Sequence, residues 1–139
     1  MELLPITESD IELIDAARRT MSKLYRPKRH HIAAALKTGE GKVYTAVHLE
    51  AHVGRVSICA ESAVLAKAVS EGETEFDTIV AVRHPRGHEQ NQEIHIVSPC
   101  GVCRELLTDY AENIKIIFTE NGETKKAYIK EFFPHKYDH

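Results

Sequence analysis

All three cysteines of this chain fall in two short motifs, Cys59-Ala60-Glu61 and Pro99-Cys100-Gly101-Val102-Cys103-Arg104. Three thiolates suit a borderline-soft cation such as zinc, and a set of three protein ligands leaves one position open for chemistry. A purely structural zinc usually takes a fourth protein ligand. With a carboxylate two residues beyond the first thiol, the set suits water activated on zinc and attacking a carbon that carries an amine. The glutamate would move the protons. An odd number of cysteines cannot all pair as disulfides within one chain, whereas one metal uses all three. Cys59, Cys100 and Cys103 are therefore the expected Zn2+ ligands, and Glu61 the expected catalytic group.

The elements around these residues must bring two distant motifs together. Cys100 and Cys103 are spaced to share one face of a helix's first turn. Pro99 precedes that turn, where proline breaks no helical hydrogen bond, and Cys59 likewise opens a helix. Two helix N-termini would then point at one spot, offering partial positive charge and free N–H groups that favour thiolates. Thr7 is a plausible N-cap, followed by Ile11, Ile14, Ala17, Met21 and Leu24 at helical spacing, with a stop before Pro27. Residues 32–37 and 42–49 read as strands around Thr38-Gly39-Glu40-Gly41, hence a hairpin. Residues 61–70 read as a helix with Gly72 as its C-cap. Residues 78–82 read as a strand, 83–93 as a polar surface loop, and 94–97 as a short strand. A helix over 102–110 and strands over 114–119 and 125–129 complete the order. The expected fold class is α/β: a three-layer α/β/α sandwich with a mixed five-stranded sheet, residues 1–139 forming a single domain.

Composition narrows the possible partners. Of the 139 residues, 42% are hydrophobic and 28% charged, ordinary values for a soluble globular protein. The formal net charge is −3, so no global basic field exists to hold a nucleic-acid polymer. Arg26-Pro27-Lys28-Arg29-His30-His31 runs against that balance: a solvated loop, or a rim that attracts a phosphate or carboxylate. No apolar run is long enough to span a bilayer, and the N-terminus lacks the features of a signal peptide. With free thiols, these features set the expectation of a cytoplasmic protein.

Two other readings of the cysteines compete. A lone Cys-x-x-Cys suits a redox pair, and a zinc knuckle could take His30, His31, His48, His52 or His84 as fourth ligand. Glu61 weighs against both. Cys-x-Glu opening a helix, followed downstream by Pro-Cys-x-x-Cys, is a zinc-deaminase signature.

At this level of detail the chain resembles the cytidine deaminase family, in the small three-cysteine form that also includes blasticidin-S deaminases. The resemblance runs from about Lys23 to Tyr137. His30-His31-Ile32-Ala33-Ala34-Ala35-Leu36 stands where members read roughly Phe-x-Val-Gly-Ala-Ala-Leu. Ala46-Val47-His48-Leu49-Glu50-Ala51 stands where they read Gly-x-Asn-x-Glu-Asn. Ala66–Gly72, Ser98–Arg104 and the tail Glu131-Phe132-Phe133-Pro134-His135-Lys136-Tyr137 are similar to family wording.

The resemblance implies a hydrolytic deaminase that converts a cytosine-type nucleoside to its uracil-type product and releases ammonia. Glu61 would shuttle protons, the Ala60 backbone would face the ring carbonyl, and Glu50 would hold a sugar hydroxyl. His48 and His30 would stand at substrate-facing positions. Tyr137 would lie over a neighbouring subunit's pocket, in keeping with the family's usual homotetramer; a dimer is the alternative. Departures concentrate on the sugar side. His48 replaces an asparagine, His30 a phenylalanine and Ala51 a second asparagine. Ser62 replaces an arginine beside the glutamate, so Arg104, the helix ends or another donor must offset the thiolate charge, and Glu105 replaces a glutamine. These changes raise two alternatives: a modified cytosine nucleoside such as blasticidin S, or an inactive zinc-stabilised binding protein. His84, His88, His95, His135 and His139 are expected at surfaces or in loops and take no assigned role.

Overall fold

The first helix forms where its spacing predicts. In this computed structural model, which describes residues 1–138, α1 spans Glu8–Leu24 and is capped by Thr7. The Thr7 hydroxyl accepts from the Asp10 backbone N–H at 3.3 Å, and the Asp10 carboxylate accepts from the Thr7 N–H at 2.9 Å. This reciprocal box satisfies donors that a helix start leaves orphaned. His139 lies outside the described residues.

Strands β1 (Ile32–Thr38) and β2 (Val43–Val47) form the expected antiparallel hairpin. Its turn needs Gly41, whose φ of 91° places it in the left-handed region. The helix α2 spans Ala60–Ser70, and Gly72 follows with a φ of 95°, fitting a left-handed helix stop. Next come β3 (Phe76–Arg83), β4 (His95–Val97), α3 (Gly101–Tyr110), β5 (Lys115–Glu120) and β6 (Glu123–Tyr128).

The sheet runs β2-β1-β3-β5-β6, with only the β3–β5 pair parallel. These are the five strands of the expected mixed sheet. The short β4 adds a sixth, pairing with the C-terminal half of β3 while β5 pairs with its N-terminal half.

Alternation along the strands divides the core into two layers. Ala33, Ala35, Val80, Val82 and Ile117 pack against Leu13, Ile14, Ala17 and Met21 of α1. Ala34, Leu36, Ile79, Ala81 and Ile116 pack against Val64, Leu65 and Ala68 of α2 and Leu107 of α3. The result is the expected α/β/α sandwich, with α2 and α3 side by side on one face.

The opposite face is tied to the sheet edge by a buried ion pair. Lys126 of β6 donates to Asp10 at 2.7 Å, and both side chains are almost wholly enclosed. Among the described residues, no helix is long and apolar enough to cross a membrane.

Candidate active site

Two helix starts carry the thiols. Cys59 is the N-cap of α2, Cys100 is the N-cap of α3, and Cys103 lies within the first turn of α3. The three sulfurs lie within 4.8 Å of one another, with Cys59 Sγ and Cys100 Sγ 3.3 Å apart. All three are free cysteines, and no histidine nitrogen among the described residues completes their set. Three sulfurs without a fourth protein donor fit an open catalytic zinc site, not a closed structural one.

The thiols differ in environment. Burial raises the Cys100 thiol, but the backbone N–H groups of Cys103 and Val102 and the neighbouring thiols more than offset it, leaving its pKa lowered. Burial pushes Cys59 up, and it pushes Cys103 up strongly, aided by the Glu61 carboxylate. The Cys100 thiolate therefore forms more readily than the other two, which gain most from a cation.

Glu61 stands in the first turn of α2, 5% exposed, with Oε1 4.0 Å from Cys103 Sγ. Burial raises its pKa above the ordinary carboxylate value. A carboxyl group so placed holds a proton more readily than one in water, which suits a group that must both accept and donate. Ser62 Oγ lies 3.3 Å from Cys103 Sγ. Arg104 instead donates to the carbonyls of Pro99 at 2.9 Å and Phe132 at 3.0 Å. The donors facing the sulfurs are thus Ser62 and the helix ends, while Arg104 fixes the turn that presents Cys100.

The residues expected on the sugar side are tied to the start of α2 through a two-residue bridge. Leu49 and Ile58 exchange backbone hydrogen bonds of 2.9 and 3.0 Å, which sets the His48–Glu50 segment beside the residue preceding Cys59. His48 Nε2 and His31 Nδ1 share a hydrogen bond of 2.9 Å, and His31 Nδ1 lies 3.3 Å from Glu50 Oε1. Burial and the neighbouring His31 lower the pKa of His48 to about 4, and burial and Arg86 lower that of His31. Both imidazoles are thus shifted toward the neutral form.

His30, Ala60 and Tyr137 occupy three separate places in the fold. His30 donates its Nδ1–H to the His48 carbonyl at 2.9 Å and so braces the backbone of that segment. Ala60 is fully buried in the core at the start of α2. Tyr137 is 76% exposed and lines a cleft with Thr108, Asp109 and Phe133.

Two contributors escaped the sequence reading. His31 joins His48 to Glu50, and Arg86 reaches Glu50 Oε1 at 3.9 Å from the loop after β3. The doublet His30-His31 was a signal for the first. Nothing in the unpatterned segment 83–93 marked the second.

This site on a three-layer sandwich defines a class of metal-dependent hydrolase. The chain belongs to the cytidine and deoxycytidylate deaminase family, whose zinc-binding-region model matches residues 7–119. It is 44% identical to a blasticidin-S deaminase of Bacillus cereus over 137 residues, covering 99% of this chain and 98% of that protein. It is 30% identical to a probable cytidine deaminase of Dictyostelium discoideum over 122 residues, covering 87% and 78% respectively. Among solved structures, the cytidine deaminase of Burkholderia pseudomallei superimposes with a TM-score of 0.74 at 26% identity, covering 95% of this chain and all of that one.

Proposed function

We propose that this protein is a zinc-dependent hydrolytic deaminase of a cytosine-type nucleoside, with Cys59, Cys100 and Cys103 as metal ligands and Glu61 as the catalytic acid and base. The observation that carries this reading is the convergence of three thiols at two helix N-termini beside one buried carboxyl. Zinc held by these thiols would supply the Lewis acidity that makes water a nucleophile at neutral pH.

The chain's own groups do the rest. Glu61 accepts a proton from the attacking water on a carboxylate oxygen and passes it to the ring nitrogen. It then relays a second proton to the departing amine, so that nucleoside and water become the uracil-type product and ammonia. Ser62 and the helix ends offset the negative charge of three thiolates. The Ala60 backbone is assigned to the ring carbonyl, and His48 and Glu50 to the sugar. His30 acts there through the His48 backbone that it braces.

A second reading concerns the sugar. Imidazole cannot present the paired carbonyl and amide of asparagine, and His48 is held against His31. This favours a modified nucleoside over plain cytidine, in line with the 44% identity to a blasticidin-S deaminase. Residues 1–139 are assigned to one domain, acting on a small molecule in the cytoplasm in a pyrimidine-salvage type of reaction. A homotetramer with Tyr137 at a subunit contact is the assembly proposed, and light scattering on the purified protein tests it.

The decisive experiment is metal analysis followed by an ultraviolet screen of cytidine, deoxycytidine, cytosine and blasticidin S. Ammonia release from a nucleoside by zinc-loaded protein is expected. No release from any of them would leave a zinc-stabilised binding protein as the better account.

A further inference from the structure

Among the described residues, a second set of metal-ligating side chains converges besides the three thiols: His31, His48 and Glu50. The hairpin brings them together. Ala33 pairs with Val47, and beyond that pair the His48 N–H donates to the Ile32 carbonyl at 2.9 Å, so His31 and His48 meet at the end of the hairpin away from its turn. Glu50 follows His48 by two residues, the spacing that returns an extended chain to the same side. Backbone hydrogen bonds hold the other two members in place. The His31 carbonyl accepts from the His84 N–H at 2.7 Å, and the Glu50 N–H donates to the Arg29 carbonyl at 3.0 Å.

His31 Nδ1 is the hub of the set. It lies 2.9 Å from His48 Nε2 and 3.3 Å from Glu50 Oε1, and the ligand atoms all fall within 4.8 Å of one another. One proton on that nitrogen cannot serve both neighbours at once, whereas a divalent cation accepts a lone pair from all three. Ligands about 2.0–2.1 Å from a tetrahedral zinc stand roughly 3.3–3.4 Å from one another, so the ion fits with side-chain shifts of about an ångström. Metals take neutral imidazole, and both rings are shifted toward that form. Two imidazoles and a carboxylate suit a zinc-class ion better than magnesium or calcium, which favour oxygen ligands. Arg86 opposes a cation from 3.9 Å, but its side chain is exposed and can turn toward water.

We propose that His31, His48 and Glu50 form a second site for a divalent ion of the zinc class, sharing no ligand with the thiol centre, and that an ion held there competes with the nucleoside. The binding stands on this geometry alone. The competition rests on the deaminase reading, in which His48 and Glu50 are assigned to the sugar. Soft thiolates select zinc more strongly than imidazole and carboxylate do, so the thiol centre fills first.

Zinc titration of protein that already carries one zinc per chain, followed by metal analysis after dialysis against buffered zinc, tests the site. A second equivalent is expected in the parent and should be lost in His31→Gln, with a thermal melt confirming that the variant folds. Cobalt(II) added to the one-zinc protein gives a readout that needs no variant: d–d bands without the sulfur-to-metal charge transfer that thiolate ligands produce. A single equivalent in the parent, a second ion held at full affinity in His31→Gln, or a thiolate spectrum for that second ion overturns the site. In the parent, excess zinc should raise KM for the deaminated nucleoside several-fold at unchanged kcat. A KM unmoved by the bound second ion overturns the competition. Ammonia release by protein that takes up only one ion sinks the second site alone. A second ion without release from any nucleoside sinks the deaminase reading and leaves the site standing.

Discussion

Glu61 and Ser62 sit next to each other in sequence yet address Cys103 in opposite senses, one adding negative charge beside the thiol and the other a hydroxyl donor. Glu61→Gln keeps the volume and removes the proton carrier. Its kcat should fall by about 10^2–10^4-fold while zinc content stays the same, which stopped-assay kinetics and metal analysis together would show. A variant that kept full activity would remove Glu61 from the mechanism. Ser62→Ala deletes the donor to Cys103, and outer-shell partners of this kind typically change metal affinity by about 10–100-fold. Competition against a chromophoric chelator should therefore show weaker zinc binding, and Ser62→Thr should restore it. At this scale the thiol cluster was legible, because the chain has only three cysteines and their spacing follows helix geometry. His31 and Arg86 were not, because histidine and arginine are common on surfaces and only the folded chain brings them to Glu50.

The elements show where local rules suffice and where they stop. The capped start of α1, the hairpin turn at Gly41 and the left-handed Gly72 are each determined within a few residues, and all lie where propensity places them. The Asp10–Lys126 pair joins residues 116 apart, beyond the reach of any local rule. Burial raises the pKa of Asp10, but Lys126 and Thr7 outweigh it and leave the value below 3.8. Its contribution to stability is therefore complete above the unfolded value and is lost as pH falls through the folded one. Asp10→Asn strands a buried ammonium and should cost about 3–5 kcal/mol near neutral pH. Urea titrations from pH 6 downward should show the gap between variant and parent closing below about pH 4. A gap that stayed constant would mean that Asp10 is not ionised in the native state.

At the scale of the whole molecule, the sandwich brings two helix starts to one point, although Cys59 and Cys100 are 41 residues apart. The layer order was readable from strand and helix periods. The division of one β3 edge between β4 and β5 was not, since a three-residue strand carries too little pattern. Metal that binds only the assembled thiols must also stabilise the fold. At 100 times its Kd, zinc should add about 2.7 kcal/mol. Scanning calorimetry should show a Tm several degrees higher with zinc than with chelator, and Cys103→Ser should lose the difference.

The segment that supplies Arg86 leaves the sheet at Arg83 and re-enters at His95, and those two residues are paired with each other. Arg83 and Glu89 clasp at its root through two hydrogen bonds of 3.1 and 2.7 Å. A stretch whose ends meet in this way is expected to tolerate changes of length and sequence at its exposed tip with little effect on the register of β3. If Glu50 faces the sugar as proposed, with Arg86 beside it, selectivity can diverge there while the thiol centre is inherited unchanged. An enzyme engineer seeking a new nucleoside specificity would begin between Arg83 and His95.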